Sequence, residues 1–83
     1  MFNKNHFQLI RRPEVLKLTG RSKSSLYQDE QAGLMPKPIS IGERAVAYIK
    51  QEIEAVVGAR VEGKTTEQIK TLVSDLHAQR EAK

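Results

Sequence analysis

The chain has no cysteine and no tryptophan, only four aromatic residues, and only two histidines among its 83 residues. The missing cysteines rule out disulfides and thiolate metal sites, a usage that fits a reducing compartment. Few aromatics argue against a surface that recognises single strands by stacking bases. His6 and His77 are far apart in the chain, with no carboxylate at ligand spacing, so neither a metal centre nor histidine catalysis is expected. His77 reads as an exposed helix residue. No apolar run is long enough to span a bilayer, and Met1–His6 has no apolar core of the signal-peptide kind. The expectation is a cytoplasmic protein that is not an enzyme, needs no cofactor and makes no use of a membrane.

What is present is a basic bias. The net charge is +4, and it is unevenly distributed. Residues 1–50 carry nine Lys/Arg against four Asp/Glu, whereas residues 51–83 carry five against six. A surplus confined to the first half suits a face turned toward a polyanion. Ordinary solubility charge is the alternative.

Local signals divide the chain into short elements. Leu9-Ile10 is an apolar entry. Arg12-Pro13-Glu14 opens a helix of about seven residues, with proline at the first helical position and an acid near the positive end of the dipole. Val15, Leu16 and Thr19 face inward, and Gly20 ends the helix in the left-handed conformation. Ser22 caps a second helix, with Ser24 and Ser25 as alternative caps, and that helix runs to Ala32 before Gly33 stops it. Two helices separated by Gly20-Arg21-Ser22 must turn sharply, which is the helix-turn-helix arrangement.

Pro36 and Pro38 then favour extended chain. Ile39-Ser40-Ile41 and Val46-Ala47-Tyr48 alternate around a Gly42-Glu43 turn, which would pair Ile39 with Val46 and Ile41 with Arg44. Ile39, Ile41, Val46 and Tyr48 would cover the helices and leave Arg44 at the tip of a wing. A third helix from about Lys50 would place Ile49, Ile53, Val56, Val57 and Val61 on one stripe. After Gly63, Thr65-Thr66-Glu67-Gln68 forms a capping box that opens a fourth helix, with Ile69, Leu72, Val73 and Leu76 inward and a fraying end at Gln79–Lys83. That stripe either packs on its own domain or joins two chains. Packing on its own domain is expected, because one short stripe makes a weak two-helix seam.

The start of the second helix carries the chemistry of a reader of duplex DNA. Arg21, Ser22, Lys23, Ser24 and Ser25 are short or basic, and Tyr27 and Gln28 follow on the next turn. Arg21 and Lys23 can reach guanine O6/N7 or a phosphate, Gln28 can pair with adenine, and serines let the backbone approach closely. The alternative is a plain serine-rich cap. Tyr27 is expected to be half core and half phosphate contact. Lys37 and Arg44 suit the adjacent backbone or minor groove. Arg11 and Arg12 form either a backbone clamp or a plain surface pair. Asp29 and Glu30 would repel phosphate, so they should face away from DNA or pair with Lys/Arg.

Gly58-Ala59-Arg60-Val61-Glu62-Gly63-Lys64-Thr65 matches the phosphate-binding pattern G-x-x-x-x-G-K-[ST]. That chemistry needs a strand before the loop and amides wrapped around phosphates. The segment before it has helical periodicity, so it reads as a helix–helix connection.

The run Leu9–Val15, then Thr19–Tyr27, Ala32–Pro38, Ile41–Tyr48 and Glu52–Ala55, resembles the AlpA family of prophage regulatory proteins over roughly residues 9–62. The resemblance implies a mainly α winged helix-turn-helix of the MerR/excisionase kind at 1–62, with a C-terminal helical extension at 63–83. It also implies a DNA-binding transcriptional regulator of a mobile element. By position it puts Arg21–Ser25, Tyr27 and Gln28 on the recognition helix and Arg44 on the wing. Tyr48 stands where the family usually has tryptophan, and Asp29-Glu30 replace a more apolar or basic pair. Expected partners are double-stranded DNA, RNA polymerase or a recombinase, and a second copy of the chain. An excisionase-like DNA-bending factor and a protein-interaction adaptor are the alternative functions.

Overall fold

The computed structural model describes residues 7–80. His6 and the Met1–His6 segment considered above therefore lie outside the described residues, as do residues 81–83. In chain order the elements are β1 (Leu9–Ile10), α1 (Arg12–Thr19), α2 (Lys23–Gln31), β2 (Ile39–Gly42), β3 (Ala45–Ile49), α3 (Lys50–Val61) and α4 (Thr66–Arg80). This is a winged helix-turn-helix with an added C-terminal helix, mainly helical with a small antiparallel sheet of order β1-β3-β2.

The helix boundaries follow from their caps. Proline sits in the first turn of α1, and Gly20 closes that helix at φ 71°. Ser22 takes the extended conformation and its side chain accepts from the Ser25 amide, which starts α2. At the end of α2, Leu34 N donates to Asp29 O (2.8 Å) and Gly33 N to Glu30 O (3.4 Å). That pair is the Schellman closure, which requires the left-handed Gly33 at φ 78°. The Thr65–Gln68 box is fully formed: Gln68 N donates to Thr65 Oγ1 at 3.1 Å, and Thr65 N to Gln68 Oε1 at 2.9 Å.

The core draws on every layer. Val15 of α1, Leu26 of α2, Met35, Tyr48 of β3, and Ile53, Val56 and Ala59 of α3 are buried together with Ile69, Val73 and Leu76 of α4. Burying α4's stripe lets so short a chain accumulate apolar area that the helix-turn-helix and hairpin would lack alone.

Four expectations need correction. Leu9-Ile10 is a strand, paired to β3 with Ile10 opposite Tyr48; a two-residue strand is too short to show alternation. The hairpin turns at Glu43-Arg44, and its pairs are Ile39–Ala47, Ser40–Val46 and Gly42–Ala45, with a bulge between Ser40 and Gly42. The unpaired residue on β2 slips the register. Tyr48 is buried as expected, but Ala47 is buried beside it, while Ile41 and Val46 are exposed. Val61 is 82% exposed, and Ala59 supplies the last buried position on α3, because the chain reverses at Gly63. Of the end expected to fray, Arg80 is instead bonded to the buried Glu52, while residues 81–83 lie outside the described residues; His77, expected to be exposed, is half-buried.

Candidate nucleic-acid interface

The corner between α1 and α2 is built by local bonds. Thr19 Oγ1 donates back to Val15 O at 2.8 Å and accepts from Arg21 N at 3.2 Å, so the left-handed Gly20 leads directly into the Ser22 cap. Ser22 Oγ accepts from Ser25 N at 3.2 Å and donates to Ser25 Oγ at 3.0 Å. These two serines are committed to the cap. Lys23 and Ser24 point to solvent at the amide-rich end of the helix.

The faces of α2 are sharply divided. Leu26, Asp29 and Glu30 are buried, whereas Lys23, Ser24, Tyr27, Gln28 and Gln31 are exposed. Positions 24, 27, 28 and 31 are neighbours at helical spacing and form one outward stripe. Both acids of the helix have left that stripe. Asp29 is paired with Arg21, and Glu30 Oε2 accepts from Tyr48 Oη at 2.6 Å. Burial, reinforced by the Glu30 carboxylate, pushes the Tyr48 phenol above its ordinary pKa. The bond ties β3 of the hairpin to α2 and so relates wing to helix.

The candidate side chains thus fall into distinct groups. Ser24, Tyr27 and Gln28 share the stripe, and exposed Lys23 flanks it in the first turn. Tyr27 is 62% exposed, so the expected half-core role is corrected to an open ring on the surface. Arg21 is also exposed, but its guanidinium is bonded to Asp29 through Nε (3.0 Å) and Nη2 (3.2 Å). Arg44 sits at the exposed hairpin tip, and Lys37 is exposed between the buried Pro36 and the half-buried Pro38 on the segment leading into β2.

Sequence reasoning missed Gln31, which its i+3 and i+4 spacing from Gln28 and Tyr27 would have revealed. It also left Arg12 open. That residue is half-buried, with Nη2 3.5 Å from Tyr48 Oη, and it borders a cleft of about 420 Å³ with Lys23, Ser24, Tyr27 and Glu30.

The phosphate-loop pattern at residues 58–65 has no free loop. Gly58–Val61 belong to α3. Gly63 N donates to Arg60 O and Lys64 N to Ala59 O, both at 3.0 Å, the Schellman closure of a helix end with Gly63 at φ 82°. Amides consumed in ending a helix cannot wrap a phosphate. Among the described residues, no helix is long and apolar enough to cross a membrane.

The family described as Prophage CP4-57 regulatory protein (AlpA) matches residues 8–61, which run from β1 to the last residue of α3. An Enterobacteria phage P4 protein, described as uncharacterized protein ORF88, is 33% identical over 57 residues, covering 69% of this chain and 65% of that protein. The chain thus spans less than two thirds of the length of this relative. No solved structure matches the chain.

Proposed function

This chain belongs to the AlpA family of prophage regulatory proteins, and we propose on that premise that it regulates a prophage or related mobile element by binding duplex DNA sequence-specifically. The outward stripe of α2 enters the major groove. Lys23 and Ser24 meet phosphate or base edges at the helix N-terminus, Gln28 reads an adenine edge, and Tyr27 lies against the sugar-phosphate wall. Arg21 keeps three N–H donors beyond the two held by Asp29, enough for a phosphate on the same strand. Arg44 at the wing tip, with Lys37 behind it, contacts the adjacent backbone or minor groove. The protein works in the cytoplasm, at the nucleoid.

One observation carries this reading. Both acids of α2 are folded inward onto Arg21 and Tyr48, leaving an exposed face with a lysine, hydroxyls and amides and no carboxylate.

The test is selection of bound sequences from a random duplex pool, followed by affinity against salt for the winning site. A defined motif is expected, with Lys23→Ala and Arg44→Ala each lowering the log–log salt slope by about 0.9 for a lost phosphate contact. Salt-sensitive binding without a motif would replace this reading with an architectural DNA-bending role. Absence of DNA binding at low salt would leave an adaptor.

A further inference from the structure

The segment Pro36-Lys37-Pro38 feeds the wing, and its backbone is unusual. Neither proline has an N–H, so Lys37 alone can donate between Met35 and Ile39. β2 is the edge strand of its sheet, paired only with β3, so its entry is not fixed by a second neighbour. Yet both backbone polar groups of Lys37 are taken, and both by α4. Lys37 N donates to His77 Nε2 at 3.1 Å, and Lys37 O accepts from Arg80 Nη2 at 2.7 Å.

His77 and Arg80 are three residues apart and share one face of α4. Arg80 is itself held. Its Nε donates to Glu52 Oε2 at 2.8 Å and its Nη2 also pairs with Glu52 Oε1, on a carboxylate whose side chain is 1% exposed. Glu52 stands on α3, which follows directly from β3. The hairpin is therefore gripped at both ends, by chain continuity into α3 and by the Glu52–Arg80–Lys37 bridge. α4 lies wholly outside the family match at residues 8–61.

We propose that α4 is a strap that sets the wing, with Arg80 and His77 as positioning residues for the contact made by Arg44. Neither residue touches DNA. They act by fixing the Pro-Lys-Pro segment, so the hairpin tip is presented at one angle rather than over a range, which removes an ordering cost from binding. This rests on the wing contacting DNA, as proposed above.

The experiment is a pair of double-mutant cycles on the full chain with its selected duplex site. Arg80→Lys keeps a cation for Glu52 but cannot hold both the carboxylate and Lys37 O in one fork. His77→Leu removes only the acceptor and leaves an exposed amide to water. With folding checked by circular dichroism, each is expected to weaken DNA binding about threefold to tenfold, the worth of one hydrogen bond's ordering. In a background that lacks both wing cations, Lys37→Ala with Arg44→Ala, the same changes should cost less than about twofold, because the contacts they position are gone. In a Lys23→Ala background the full loss should persist. Equal losses in both backgrounds, or none, would overturn the strap and leave the DNA reading standing. If wild type itself does not bind DNA, the DNA reading fails alone and amide exchange decides the strap. His77→Leu should then speed exchange between Ile39 and Ala47 but not in α1 and α2, and unchanged exchange in the hairpin would overturn the proposal.

Discussion

Arg21 and Asp29 form a forked ion pair across the helix-turn-helix corner, Nε to Oδ2 at 3.0 Å and Nη2 to Oδ1 at 3.2 Å. The two ends differ in exposure: the Arg21 side chain is 43% open to solvent and that of Asp29 only 9%. The acid that would repel DNA from the last turn of α2 thus serves as an anchor beneath it. It braces the loop that leads into the helix and holds the guanidinium in one orientation.

Arg21→Ala should therefore reduce stability as well as DNA affinity, because it leaves the Asp29 carboxylate shielded from water and unpartnered. A loss of about 1–3 kcal/mol is expected, toward the lower end since the arginine is half in solvent. Urea unfolding of Arg21→Ala, Asp29→Ala and the double variant measures it. The double variant should be more stable than the sum of the single losses implies. Strict additivity would mean that the pair contributes nothing to the corner.

A second buried contact fixes the hairpin to α2. Tyr48→Phe removes the hydroxyl that donates to Glu30 Oε2 at 2.6 Å and leaves that carboxylate buried without its donor. The cost should be about 1–3 kcal/mol, or a fall in melting temperature of roughly 4–8 °C per kcal/mol for a domain of this size. In a Glu30→Gln background the same change should cost less, since a neutral amide tolerates the loss better than a carboxylate. A Tyr48→Phe protein that melts with wild type would remove Tyr48–Glu30 as the tie between wing and helix.

Much of this architecture is legible from local chemistry. Gly20, Ser22, Gly33 and Gly63 mark their boundaries because left-handed glycines and serine caps are decided within a few residues, and the Thr65–Gln68 box forms as its spacing dictates. The hairpin register was not legible in the same way. A bulge at Ile41 depends on how β3 packs, and alternation alone cannot detect one extra residue. The inward turn of Asp29 and Glu30 was visible only as a requirement. Their partners, Arg21 and Tyr48, are set by the corner and by the wing respectively. The hold of α4 on Lys37 was invisible, since residues 40 and 43 positions apart carry no sequence signal of contact. Arg80 reads in sequence as part of a fraying charged end for the same reason.

That hold should depend on pH. Burial first, and then the nearby Arg80 guanidinium and Lys37, push the pKa of His77 below its ordinary value of 6.5, while Glu52 opposes them. The neutral ring accepts from Lys37 N, and a protonated ring would face that amide with a donor of its own. Above about pH 6.5 the histidine is neutral whether the chain is folded or not, and its contribution is complete. As pH falls through that value the unfolded chain takes up the proton first. Stability then declines until the folded state is protonated as well. Urea midpoints for wild type and His77→Leu, measured at half-unit steps from pH 7.5 to 5.5, isolate the effect because His6 is common to both proteins. Wild type should lose stability toward acid more steeply than the variant. Parallel curves would mean that the proton on His77 is not felt at Lys37.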